Sequence, residues 1–186
     1  MKNLLFILVC IMCVSTLAQA QTLQEIYDKG DEFYNKQDYK NAIVYFEKAL
    51  PLAEKELGKE HSGYVTICSN LAFLYKSQGS YAKAELFYLE IKNIYEKVLG
   101  KKHPDYATSC NNLANLYESQ GLYAKAEPLY IEVKNTREKI LGKEHAAYVA
   151  SCSSLADLYH NQGLYAKAER LVRQSRAVVF RSKKYL

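Results

Sequence analysis

The sequence predicts an all-α fold, a solenoid of about four antiparallel helix pairs, on three observations. The phrase SQGLYAKAEPLY, from Ser119 to Tyr130, has close copies from Ser77 to Tyr88 and from Asn161 onward, so one unit recurs every 42 residues. A fixed period of that size marks stacked units that cannot bury their apolar faces alone. Each unit also holds two stretches with apolar residues at helical spacing. In one unit these are Tyr106, Cys110, Leu113, Ala114 and Tyr117, then Tyr123, Ala126, Tyr130, Val133, Ile140 and Leu141. Between the two stretches stands the breaker Gln120-Gly121.

In chain order, residues 1–20 read as a signal peptide: Lys2, an apolar run from Leu4 to Val14, and small residues at Ala18 and Ala20. Cleavage is expected between Ala20 and Gln21. The run is too short to remain as an anchor, so the mature chain is expected to be exported, periplasmic or secreted, with no transmembrane segment. Neither Cys10, after Val9, nor Cys13, after Met12, has the setting of a lipid anchor. From Gln21 the chain has one domain's length, no Trp and no Gly/Ser-rich linker, so no internal domain boundary is marked.

The solenoid is expected over 21–182, with units at 22–58, 61–100, 103–142 and 145–182 and a basic tail at 183–186. The first unit is degraded but in register: Gly30, Phe33, Gln37, Tyr39, Ala42 and Phe46 match Ala114, Tyr117, Gly121, Tyr123, Ala126 and Tyr130. Lys29 and Gln37 replace the Leu and Gly of the later units, as a terminal capping unit would. Within a unit, Gly121 lets the chain leave the first helix with positive φ, and Ala126 is small enough for the two helices to approach closely. Lys125 is expected to point into solvent. Leu57-Gly58-Lys59, Leu99-Gly100-Lys101 and Leu141-Gly142-Lys143 place a glycine cap after each second helix. In His103-Pro104-Asp105, Pro suits a first helical turn and Asp its positive end.

Leu-Ala-x-Leu-Tyr at 113–117 and 155–159, followed by Gly-x-Tyr-x-x-Ala at 121–126, resembles the tetratricopeptide repeat (TPR). With His-Pro-Asp-Tyr-Ala-Thr at 103–108 and Asn-Asn-Leu-Ala at 111–114, the unit is similar to the 42-residue variety of kinesin light chains and many bacterial proteins. The resemblance covers essentially all of the mature chain. It implies a right-handed superhelix whose first helices line a concave groove, with asparagines that hold the backbone of an extended peptide.

Several chemistries are excluded by spacing. The P-loop needs Gly, four residues, then Gly-Lys-Ser/Thr, and Gly121 is followed by Leu-Tyr-Ala-Lys with no second Gly. Cys68, Cys110 and Cys152 occupy equivalent positions in successive units, which lie about 10 Å apart on interhelix spacing, too far for a disulfide. They are expected to be free, buried thiols. His61, His103 and His145 are likewise a unit apart and cannot share a zinc ion, so they are read as organising the turn. No nucleophile, base and orienting group can be named together, and neither an enzyme nor a cofactor nor a metal is expected. Glu85, Glu127 and Glu169 with Lys83, Lys125 and Lys167 are read as a solvated face.

The net charge of +5 is local. Arg170, Arg173, Arg176, Arg181, Lys183 and Lys184 lie at the end of the chain without an acid; setting these and Lys2 aside leaves 18 basic residues against 20 acidic ones over 21–169. A basic tail without a base-reading motif does not point to nucleic acid.

What remains is the face of the first helices. Carried over by position from the resemblance, the groove comprises Asn70, Phe73 and Lys76; Asn111, Asn112, Asn115 and Glu118; and Ser154, Asp157 and His160, with Asp28 and Asp31 in the first unit. An amide offers donor and acceptor together, so an asparagine ladder can pair with a peptide strand of any sequence, and Phe73 can anchor a side chain. The expected function is a scaffold or adaptor for a peptide or protein segment. The alternative is the truncated N-terminal sensor of a longer chain ending in a CHAT-type protease or signalling domain. Ala177, Val178, Val179 and Phe180 form an apolar patch at the end of the last helix, expected to meet a partner or a second copy.

Overall fold

The computed structural model describes residues 22–183, and side chains as far as 176. The expected signal peptide, the 184–186 part of the tail and the side chains of Val178, Val179 and Phe180 lie outside what is described. The described residues form helices α1 (Leu23–Asn35), α2 (Tyr39–Leu57), α3 (Ser62–Ser77), α4 (Tyr81–Val98), α5 (Pro104–Ser119), α6 (Tyr123–Leu141), α7 (Ala146–Asn161) and α8 (Tyr165–Lys183). They contain no strand. None of these helices is long and apolar enough to cross a membrane.

The chain divides into two compact units, one ending at Ala53 and the other beginning at Glu54. The division falls inside α2, where no linker composition can announce it.

In the first unit, α1 opens with a capping box: the Thr22 hydroxyl accepts from the Glu25 N–H at 3.2 Å, and the Thr22 N–H donates to the Glu25 carboxylate at 3.0 Å. Gly30 lies against Phe46, where an added Cβ would meet the ring at 2.8 Å, so only glycine fits under it. Phe33 stacks on Tyr45 at 5.3 Å between ring centres. The hinge between α1 and α2 is left-handed at Gln37, φ 60°, where the later hinges use glycine.

In the second unit each helix from α3 to α8 packs on the next in sequence. Leu71, Leu74, Leu113, Leu116, Leu155 and Leu158 are buried, and Ala84 and Ala126, both fully buried, bring α4 and α6 close to their partners. At the α5–α6 hinge Gly121 has φ 70° with nothing within 4 Å of an added Cβ, so the backbone conformation alone selects glycine. His61, His103 and His145 cap α3, α5 and α7: each Nδ1 accepts the N–H of the residue two positions on, at 3.0, 3.2 and 3.1 Å. An accepting Nδ1 carries no proton, which fixes the hydrogen on Nε2 of the neutral ring.

Cys68, Cys110 and Cys152 are free and buried. Cys110 packs with Tyr106 and Val133, flanked by Tyr95 and Leu129. Burial pushes all three thiols up, Cys68 to about 12.

The recurring Glu and Lys side chains are not all a solvated face. The Tyr117 hydroxyl donates to Glu85 of the preceding pair at 2.7 Å, and Lys125 lies 4.9 Å over the Tyr117 ring and 3.8 Å from the same carboxylate. One unit later Tyr159, Glu127 and Lys167 repeat the arrangement, at 2.8, 4.9 and 4.0 Å. Lys125 is exposed, as expected, and in addition reaches back over Tyr117 toward Glu85. Tyr117 and Tyr159 are buried, a buried phenol needs an acceptor, and the glutamate of the preceding pair supplies it. Glu169 stays exposed and pairs with Arg173 at 3.3 Å.

Candidate functional site

Positions 70, 73 and 76 on α3, 112, 115 and 118 on α5, and 154, 157 and 160 on α7 recur one unit apart. Spaced by three, each set shares one helix face. Asn112, Asp157 and His160 are exposed; Asn70, Lys76, Asn111, Asn115, Glu118 and Ser154 are half-buried. Phe73 leaves 43% of its surface open, a large fraction for an aromatic ring.

These residues differ sharply in how they are held. Asn70, Asn111 and Asn112 have no side-chain hydrogen bond among the described residues. Ser154 donates to the Ala150 carbonyl of its own helix at 3.2 Å. Asn115 and Glu118 are engaged inside the fold, around Tyr130 of α6. The Tyr130 hydroxyl donates to Glu118 Oε2 at 2.6 Å, the Asn115 amide contacts the same hydroxyl, and Asn161 Nδ2 donates to Glu118 Oε1 at 3.0 Å. The Asn115 amide oxygen and the Glu118 carboxylate thus both face the one proton of the Tyr130 phenol, and the carboxylate is the stronger acceptor.

The electrostatics follow the same division. Burial and then the hydrogen bond to Glu118 push the Tyr130 phenol far above its usual range, with Asp157 adding to the effect. Burial pulls the Lys76 ammonium below its ordinary value, opposed by the attraction of Glu118. Asn161 and Glu118 thus join the ends of α7 and α5, while Lys76 on α3 feels Glu118 through its charge. His160 sets its ring edge-on to Tyr165, 5.2 Å between centres. Together with Asp157 these two line a cavity of about 540 Å³ over α7 and α8. Asn70 and Asn112 form no cluster; each presents its amide one turn before the engaged positions.

Reading the sequence missed Tyr130 and Asn161. The signal lies in the columns of the repeat: position 130 is Phe46, Tyr88 and Val172 in the other units, and Glu118 stands where Lys76 and His160 stand. Only one unit combines the phenol with a carboxylate.

Chemically, the face offers neutral amides and one open aromatic ring. Among the described residues no three His, Cys, Asp or Glu side chains gather closely enough to hold a metal ion.

Comparisons with known proteins bear on the repeat and its fold. The tetratricopeptide repeat family matches residues 19–97, 67–133 and 105–179. Among solved structures, a kinesin-light-chain-like protein of Podosopora anserina with nearly identical TPR-like repeats is 24% identical, with a TM-score of 0.78 over 92% of this chain and 82% of that one. BtubC (BKLC) from P. vanneervenii is 20% identical, with a TM-score of 0.76 over 88% of this chain and 65% of that one, so the chain spans less than two thirds of BtubC. The apo form of RapI is 18% identical, TM-score 0.70, over 93% of this chain and 62% of that one. At such identities the likeness shows the fold. No curated protein matches the chain.

Proposed function

Since the chain belongs to the tetratricopeptide repeat family, whose members bind protein partners, we propose that it is an interaction scaffold holding an extended peptide or protein segment against the exposed face of α3, α5 and α7. The observation that carries the reading is the pair of unbonded amides, Asn70 and Asn112, at equivalent positions of successive units, beside the open ring of Phe73. Two amides one unit apart can each pair with a backbone N–H and C=O of the same strand, while Phe73 gives a side chain an apolar seat. Asn115 and Glu118 hold the helices that present these groups, and the scaffold performs no chemistry of its own. Export, expected from residues 1–20, belongs to the same proposal.

The test is Asn70→Ala combined with Asn112→Ala. A partner captured by the wild-type chain from a lysate of its own cell envelope is titrated against both proteins. Losing two net hydrogen bonds of about 1 kcal/mol each weakens binding by roughly tenfold or more, with helicity unchanged. Equal affinity of the double variant would sink the assignment.

A further inference from the structure

We propose that the third helix pair carries a second, separate site, on the side of α6 that faces the loop before α5, for an acidic peptide segment with a neighbouring apolar side chain. A cavity of about 590 Å³ opens there. Its floor is Pro128, Ile131 and Ile140, and two of its walls are Lys102 and Lys139. The second pair has the corresponding cavity, about 420 Å³, over Leu86, Leu89 and Ile94.

The two cavities differ at one charge. In the second pair Glu60 and Lys97 close the rim with an ion pair at 2.6 Å. In the third pair Lys102 stands at the Glu60 position and Lys139 at the Lys97 position, 42 residues on. Neither lysine has an acidic partner among the described residues. Lys101 pairs with Glu96 at 3.2 Å, and Glu132, the carboxylate lining this cavity, accepts from the Tyr106 hydroxyl at 2.8 Å. In the fourth unit the loop position is Glu144.

Where the second pair has an internal ion pair, the third thus has two like charges beside apolar side chains. Like charges on one rim repel, and an anion seated between them relieves both at once. An inorganic anion would leave Pro128, Ile131 and Ile140 unused. A carboxylate side chain beside an aliphatic or aromatic one fills charge and floor together, and Asn135 and Thr136, on the same wall, suit its backbone.

The experiment is fluorescence anisotropy of the full chain with a labelled peptide, Ser-Glu-Leu-Glu-Phe-Ser. Lys102→Glu rewrites the third pair in the charge pattern of the second, so it folds with a thermal midpoint no lower than wild type and binds the peptide about tenfold more weakly or worse. Lys102→Arg keeps binding, and a probe with Gln for Glu loses it. Glu60→Lys opens the second cavity in the same way, read as a doubled stoichiometry. The Asn70→Ala, Asn112→Ala protein binds the probe like wild type, which separates this site from the face of α3, α5 and α7. Unchanged affinity of Lys102→Glu, or no binding by the wild-type chain, would overturn the proposal.

Discussion

Tyr130 carries more of the site than any single asparagine. Its ring is buried at 1% exposure, and its hydroxyl is the point through which Asn115 and Glu118 are fixed on α5. Tyr130→Phe keeps the ring, as Phe46 does at the same position of the first pair, and removes the hydroxyl. It leaves Asn115 without its partner and costs about 1–2 kcal/mol, read as a lower urea midpoint with an unchanged slope. The three free thiols make a second prediction at this scale. Buried and pushed toward the neutral form, Cys68, Cys110 and Cys152 stay unalkylated by iodoacetamide at mildly alkaline pH in the native protein. They react once urea unfolds the chain; peptide mapping that finds any of them labelled in the folded protein contradicts their placement.

The helix hinges were legible in the sequence because their cause is local. A glycine at positive φ needs nothing from the rest of the chain, and Gly121 could be named from its neighbours. Gly121→Ala forces an alanine to φ 70° and costs about 1–2 kcal/mol. At the first hinge the opposite change helps. Gln37 already bears that strain at φ 60°, so Gln37→Gly stabilises by about 0.5–1 kcal/mol, the relief of strain reduced by glycine's greater freedom in the unfolded chain. Thermal denaturation of the two variants reads both signs. The Glu85–Tyr117–Lys125 bridge was not legible in the same way. Its parts lie on three helices and far apart in sequence, and each alone reads as an ordinary surface or core residue. The Lys102 and Lys139 rim is a similar case, visible only when one unit is laid over another.

For the whole molecule, burial and then the glutamate acceptors push the Tyr117 and Tyr159 phenols up to about 12 from their ordinary value of 10.0. The folded state therefore holds its phenolic protons more tightly than the unfolded chain. The associated stability is complete below pH 10.0 and is lost as pH rises toward about 12. A denaturant midpoint that is flat in mild alkali and falls steeply above pH 10.0 is the expected profile, and Tyr117→Phe with Tyr159→Phe makes the fall shallower. The repeat, its helix pairs and the buried cysteines could be read from the period and the apolar spacing. Which members of the Asn, Glu and His columns remain free could not, because Asn115 and Asn112 look alike in sequence and differ only in what Tyr130 brings beside them. The measurement that bears most directly on the account is photo-crosslinking from position 73, with benzoylphenylalanine in place of Phe73, in cells. The account predicts a cross-link to a discrete protein segment that fades when Asn70→Ala and Asn112→Ala are added; no cross-link, or one indifferent to those changes, would contradict it.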